Sequence, residues 1–225
     1  MQRIAVIGLG RFGMNLARLL TQNRIEVIAV DRNHRLVDEV KDDVTLAVAL
    51  DGTDEDALAS HEIHRADVCV VAIGENFEAS LLAATALKKM GAKYVIVRAQ
   101  TATHAEIFRR LGADEIIQPE SEAGRYLARR LANPHLEDVI ELSDGYTLIE
   151  LRAPAAFVGK SLEQLTLRNK YRVNLVAVKR QSAPENGDES QRTTTTYVPN
   201  AGYTIHPDDV LLLVGTDAAL NGLPK

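Results

Sequence analysis

The chain of 225 residues has one cysteine, no basic excess and no long apolar run, and each shortage excludes something. Cys69 stands inside the apolar run Val68 to Ala72. No disulfide can form within the chain, and the residue reads as a small buried hydrophobe. Lys and Arg number 26 against 31 Asp and Glu, for a net charge of −5. A nucleic-acid binder usually carries the opposite balance. No stretch approaches the roughly 18 consecutive apolar residues of a membrane span. The N-terminus enters an apolar run without a signal-peptide pattern, so the expected location is cytoplasmic. Catalytic signatures are missing too. There is no Tyr-x-x-x-Lys, and the C-terminal part offers only His206 and scattered lysines, in no constellation suited to proton transfer. What is present is an apolar content of 46%, enough for a core in one large domain or two small ones.

The most informative segment is Ile4-Ala5-Val6-Ile7-Gly8-Leu9-Gly10-Arg11-Phe12-Gly13. A short apolar strand runs into glycines with G-x-G-x-x-G spacing. Met14, Leu16, Ala17, Leu19 and Leu20 then recur at helical intervals. Gly8 permits a tight turn, Gly10 lets a pyrophosphate approach the backbone, and Gly13 lets helix and strand pack closely. The first N–H groups of such a helix point at an anion. A second strand, Glu26 to Val30, ends in Asp31, 18 residues past Gly13. That is close to the roughly 20 expected of the acid that binds a ribose hydroxyl.

The alternation continues. Strands are expected at Thr45 to Ala49, Asp67 to Ile73, Lys93 to Arg98 and Glu115 to Gln118, with helices at Leu36 to Val40, Asp56 to His61, Ala79 to Met90 and Ala105 to Leu111. Gly91 and Gly112 stand where two of these helices need a left-handed residue to stop. The pattern implies an α/β fold, a Rossmann-like doubly wound parallel sheet in the order 3-2-1-4-5-6 with a ligand crevice where the order reverses. A helix from Ser121 to Ala132 ends at Asn133-Pro134. Beyond it Val139 to Leu142 and Thr147 to Leu151 flank Ser143-Asp144-Gly145-Tyr146 as a hairpin. Ser161 to Leu167 reads as a short helix, and Val173 to Lys179, Thr193 to Val198 and Val210 to Val214 as strands. Gln181 to Arg192 is a polar loop, with the composition of a disordered segment. The expected division is 1–119, a nucleotide-binding part; 120–137, a helix and linker; and 138–225, a small α+β part.

Several residues are candidates for chemistry. Arg11 falls in the first helical turn, where a cation opposes the helix dipole by about 0.3–1 kcal/mol; a bound polyphosphate reverses that penalty, and a solvent-facing arginine is the alternative. Asp31 is the ribose acceptor, with helix capping near Asn33 as its alternative. Asp51-Gly52-Thr53-Asp54 follows the third strand beside the crevice, where Thr53 or Asp54 could instead cap a helix. Ile73, Gly74, Glu75 and Asn76 follow the fourth strand and could border phosphates or adenine. Glu120 could hold a cation near phosphates, or serve only as a first-turn acid. Two apparent signals are discounted. Gly159-Lys160-Ser161 resembles the end of a Walker A loop, but its first glycine would fall on Pro154; Ser161 with Gln164 fits a capping box. His61-Glu62-Ile63-His64 lacks H-E-x-x-H spacing.

On these residues the chain resembles the cytosolic regulatory subunits of Ktr/Trk potassium-uptake systems, which carry RCK domains. The segments that carry the resemblance are Val6 to Gly13, with Arg11 and Phe12 included, Ala72-Ile73-Gly74, Gly112-Ala113-Asp114 and Ile117-Gln118-Pro119-Glu120. Gly159 to Leu162, Asp208 to Leu211 and Val214-Gly215 are similar to the C-terminal RCK subdomain. The resemblance implies a Rossmann subdomain, a crossover helix and a small C-terminal subdomain. It implies dimers that assemble into an octameric ring beneath a membrane potassium-translocating subunit, hence a peripheral place at the inner face of the membrane. It also implies ATP or ADP as ligand, with Mg²⁺ or another cation at Glu120. The nucleotide-contacting set it suggests is Gly8, Gly10, Arg11, Phe12, Gly13, Asp31, Arg32, Asp51, Gly52, Thr53, Ile73, Gly74, Glu75 and Arg98. Family members that bind cyclic di-AMP carry an apolar pair where this chain has Leu162-Glu163. The rival readings are an NAD(H)-dependent oxidoreductase and a free-standing NAD-binding module, because ATP, ADP and NAD share an adenosine diphosphate moiety.

Overall fold

The computed structural model describes residues 2–132, 136–143, 145–182 and 193–224. The chain divides into two compact units, Met1–Glu122 and Ala123–Lys225.

In the first unit six strands form one sheet: β1 (Arg3–Ile7), β2 (Glu26–Asp31), β3 (Leu46–Ala49), β4 (Val68–Val71), β5 (Val95–Arg98) and β6 (Glu115–Ile117). Their order is β3-β2-β1-β4-β5-β6, and every pair is parallel. Five helices connect them: α1 (Arg11–Gln22), α2 (His34–Val40), α3 (Glu55–Ser60), α4 (Phe77–Lys89) and α5 (Ala102–Leu111). The period-2 alternation of strand side chains divides the core in two. Ala5, Ile7, Ile28, Val30, Cys69, Val71, Val95 and Val97 face one side, against Leu58 of α3, Leu87 of α4 and Phe108 of α5. Ile4, Val6, Val27, Ala29 and Val70 face the other, against Met14 and Ala17 of α1 and Val37 and Val40 of α2. Each fully buried Leu or Phe contributes about 1.5–3 kcal/mol. This is the doubly wound arrangement read from the sequence. Cys69 is buried, and burial pushes its thiol up to about 12, which keeps it inert.

The next helix, α6 (Pro119–Ala132), opens with proline in its first turn, two residues earlier than expected. It carries the chain across the division into the second unit. There the strands β7 (Leu136–Ser143), β8 (Tyr146–Arg152), β9 (Val173–Ser182), β10 (Thr193–Tyr197) and β11 (Asp209–Thr216) pair antiparallel throughout. Their order is β10-β9-β11-β8-β7. The short helices α7 (Leu162–Leu165), α8 (Leu167–Tyr171) and α9 (Asp217–Asn221) complete it. Phe157, Leu165, Val173, Val178, Ile205, Leu211 and Leu213 form the core.

Several expectations need correction. The short helix expected over Ser161 to Leu167 is present but stops at Leu165, because Thr166 takes a left-handed conformation at φ 43°, and a second helix, α8, begins at Leu167. The Ser161–Gln164 capping box is present at the start of the first. Strand β9 runs three residues past Lys179, into what was expected to be loop, because Gln181 and Ser182 pair with Thr194 and Thr193. Positions 183–192, the rest of that expected loop, lie outside the described residues, as do Asp144 of the expected turn and the expected stop at Asn133-Pro134. The terminal helix α9 was not expected; Thr216 caps it by accepting from the Ala219 N–H at 3.3 Å.

Candidate functional site

The sheet order reverses between β1 and β4. At the C-terminal strand ends there, a cavity of about 960 Å³ opens, a size typical of small-ligand sites. Of the fifteen residues proposed from sequence, all but Gly13 line it. Gly13 faces away, into packing: a methyl group there would overlap the Gly8 carbonyl oxygen. Gly8 turns the chain at φ 99°, and a Cβ on it would lie 2.9 Å from the Ile73 nitrogen. Gly10 has nothing within 4 Å of where its Cβ would stand, so the loop backbone is open at that point.

Helix caps separate α1 from its neighbours. Asn33, Asp54, Asn76 and Thr101 each accept a backbone N–H at the start of α2, α3, α4 and α5. α1 starts at Gly10 with no side-chain cap and no acid in its first turn. Its first N–H groups and partial positive charge therefore face the cavity without a capping side chain or a first-turn acid. Arg11 adds a full charge on the same turn and is exposed.

Asp31 ends β2. Its carboxylate accepts from the Leu9 N–H at 2.6 Å and the Asn33 N–H at 2.8 Å. The first bond ties it to the glycine loop, the second to the start of α2. It does not cap α2; Asn33 does, by accepting from the Arg35 N–H at 3.0 Å. A carboxylate has about four acceptor positions, so capacity is left on the cavity side. Asp51 accepts from both the N–H and the hydroxyl of Thr53, at 2.9 and 2.8 Å. Those two bonds, with the positive charge of Arg32, hold its carboxyl below the usual carboxylate range. Asp54, not Thr53, caps α3. Gly52 is required by contact, since a Cβ there would come within 2.6 Å of Ile7 Cγ2.

On the opposite flank Arg98 ends β5. Its side chain is only 15% exposed and pairs with Glu120 in the first turn of α6. Arg98 Cζ lies 5.6 Å from the centre of the Phe12 ring. The Glu120 carboxyl is held low by its own backbone N–H and by Arg98. Among the described residues no three His, Cys, Asp or Glu side chains gather as a metal cluster.

The cavity also takes in Leu36, Glu78, Leu82 and Gln100, which sequence reasoning missed. Gln100 could have been found as the second residue past a strand at the same sheet edge. Glu78 and Leu82 share a face of α4 at i, i+4 spacing, but their pattern is that of any amphipathic helix.

The TrkA-N domain family matches residues 4–119 and the TrkA-C domain family residues 146–223. The Ktr system potassium uptake protein C of Bacillus subtilis is 34% identical over 224 residues, all of this chain and 96% of its own length. The Ktr system potassium uptake protein A of the same organism is 36% identical over 178 residues, 79% of this chain and 80% of that protein. Among solved structures, the GsuK channel aligns with a TM-score of 0.66 at 19% identity, over 98% of this chain and 38% of its own. The same channel bound to NAD aligns at 0.53 and 21% identity, over 98% and 37%. Bound to ADP it aligns at 0.52 and 22% identity, over 59% and 34%. At these identities the likeness to GsuK is one of fold, and this chain spans less than two fifths of that polypeptide. Among the described residues no helix is long and apolar enough to cross a membrane.

Proposed function

The chain belongs to the family of Ktr-type potassium uptake proteins built from a TrkA-N and a TrkA-C domain, and on that premise we propose that it senses ATP and ADP in the cytosol and sets the conductance of a membrane potassium-translocating partner. Its role is regulatory, not enzymatic. The observation that carries the nucleotide reading is the meeting, in one cavity, of the uncapped α1 terminus with an Asp31 carboxylate that has acceptor positions to spare. The helix N–H groups suit phosphates, and Asp31 suits ribose hydroxyls. Arg11 suits the terminal phosphate. Mg²⁺ is often held between phosphates and one carboxylate, and Glu120, which lines the same cavity, is the carboxylate proposed for it here. The working division is a nucleotide-binding part at 1–119, a connecting helix and linker at 120–137, and a C-terminal part at 138–225.

Assembly is proposed through α6, where Tyr126, Leu127 and Leu131 are exposed, Leu131 by 68%. Large apolar side chains in one helical stretch favour a partner surface. The proposed occupant is a second copy, with dimers building an octameric ring. Light scattering at micromolar concentration tests this; a monomer counts against both.

The second reading is an NAD(H)-binding module. It draws on the same Asp31 and glycine loop, and the GsuK channel is solved both with NAD and with ADP. Calorimetry of ATP, ADP and NADH, with and without Mg²⁺, separates the two. NADH binding with no response to ATP or ADP overturns the first.

A further inference from the structure

Arg98 is a mostly buried cation at the cavity edge. The Phe12 ring of the glycine loop lies against the guanidinium. Gly74 accommodates its tip, since a methyl group on Gly74 would overlap Nη1. Nη2 donates to the Glu120 carboxylate. Nε is buried and has no hydrogen-bond partner among the described residues. A guanidinium has five N–H donors, so this one has capacity beyond Glu120, and its side chain lines the cavity beside the glycine loop and Gly74. The two members of the pair are held differently. Arg98 is fixed on three sides, whereas the Glu120 side chain is 61% exposed. Glu120 also stands in the first turn of α6, where the helix dipole stabilises a carboxylate with or without an arginine.

We propose that Arg98 is a shared cation for which the phosphates of a nucleotide and the Glu120 carboxylate contend, so that nucleotide binding loosens the tie between β5 and the first turn of α6. The proposal rests on the nucleotide reading above and adds its regulation. A phosphate beside Arg98 brings negative charge against Glu120, at a guanidinium only 15% exposed, where such interactions are stronger than in bulk solvent. Glu120 is the partner free to give way. Coupling of this kind is reciprocal: whatever weakens Glu120's hold on Arg98 tightens phosphate binding, and phosphate binding releases the start of α6. Gly74 has a definite part in this, because a Cβ there would displace the guanidinium tip from its present seat.

The test measures affinity for ATP and for adenosine with the full chain in a chelating buffer, so that no divalent cation bridges Glu120 to phosphate. Glu120→Gln is expected to tighten ATP about three- to tenfold and leave adenosine unchanged. Arg98→Met is expected to weaken ATP about tenfold, again without effect on adenosine. In the double variant the gain from Glu120→Gln disappears, which is the sign of a shared partner. If Arg98→Met does not fold, Gly74→Ala replaces it, because the added methyl displaces the guanidinium tip without removing it. A Glu120→Gln variant with unchanged or weaker ATP binding overturns the proposal. So does an equal gain in the Arg98→Met background, which makes the effect plain repulsion between Glu120 and phosphate. Wild-type protein that binds neither ATP nor adenosine overturns the nucleotide reading itself, and this proposal with it.

Discussion

Each unit holds an aspartate among several donors, and the two cases differ in what is left over. In the second unit Asp209 has no exposed side-chain surface. It accepts from Arg180 Nε at 2.9 Å, from the Tyr203 hydroxyl at 2.5 Å and from the His206 N–H at 2.9 Å. Arg180 in turn donates to the Tyr203 hydroxyl. Burial opposes ionisation of Asp209, but these three bonds outweigh it and hold the carboxyl below its usual range. Burial and the nearby carboxylate push the Tyr203 hydroxyl the other way, well above the ordinary tyrosine range. In the first unit Asp31 accepts two backbone N–H groups and faces a cavity. A charge whose donors form a closed set supports the fold. A charge with unused positions beside open space is a place for a ligand. Both are polar clusters in an α/β protein, and residue type alone does not tell them apart.

The sharpest way to break this contrast is to remove the closed cluster. Asp209→Asn leaves Arg180 without its anion and should cost about 2–4 kcal/mol, somewhat less than the roughly 3–5 of a fully buried pair because Arg180 is partly exposed. Thermal or urea unfolding reads this directly, and a loss under about 1 kcal/mol sinks the structural assignment. The pH dependence has a definite sign. A carboxyl whose folded value is depressed stabilises the fold above its unfolded value, near 3.8, and that contribution is lost as pH falls through the lower folded value. Wild-type stability should therefore fall on acidification below about pH 4. The Asp209→Asn variant should lose part of that slope.

Asp31 comes next in size. Asp31→Ala removes charged acceptors for ribose hydroxyls, worth about 1.5–3 kcal/mol, or some tenfold to hundredfold in affinity. The loss should be alike for ATP, ADP and NADH, because the ribose is common to all three. Stability should move less, since the freed Leu9 and Asn33 N–H groups lie at a cavity that water can reach. Unchanged ATP and ADP affinity in this variant ends the assignment of Asp31 as the shared anchor.

Both clusters test what a sequence can carry. The glycine triplet and Asp31 were legible because strand, turn, helix and acid come in fixed order, and backbone geometry demands each. Strand order and the two-faced core followed from near-continuous apolar runs. The Asp209 cluster was not legible, although Asp208-Asp209-Val210-Leu211 was singled out by resemblance. Arg180 stands 29 residues before Asp209, and no local pattern joins them. The same holds for Arg98 and Glu120, 22 residues apart. The break at Thr166 escaped notice because a left-handed threonine is decided by tertiary packing, not propensity. Strand β9 outran its expected end because its last pairs are polar, and pairing with the threonines of β10 outweighs the loop-like composition.

The smallest effect expected, and the one that most sharpens the contrast, is at Arg11. On the proposed reading Asp31 and the glycine loop take the groups that ATP and ADP have in common. A regulator that tells the two apart needs a contact that differs between them, because only a differential contact can shift an equilibrium between two conformations. The γ-phosphate is that difference, and Arg11 is the exposed cation on the uncapped first turn of α1. Its exposure limits what it contributes: a screened charge-assisted hydrogen bond of about 1 kcal/mol, roughly fivefold in affinity. Arg11→Ala should thus weaken ATP about fivefold and leave ADP and adenosine nearly unchanged. Raised salt should shrink the difference, as it does for exposed charges. Flux through the membrane partner in reconstituted vesicles is the functional reading. If ATP activates flux, the variant should need about fivefold more ATP than the wild type for the same response. A variant that still distinguishes ATP from ADP, by affinity and by flux, places the discrimination on another residue of the crevice.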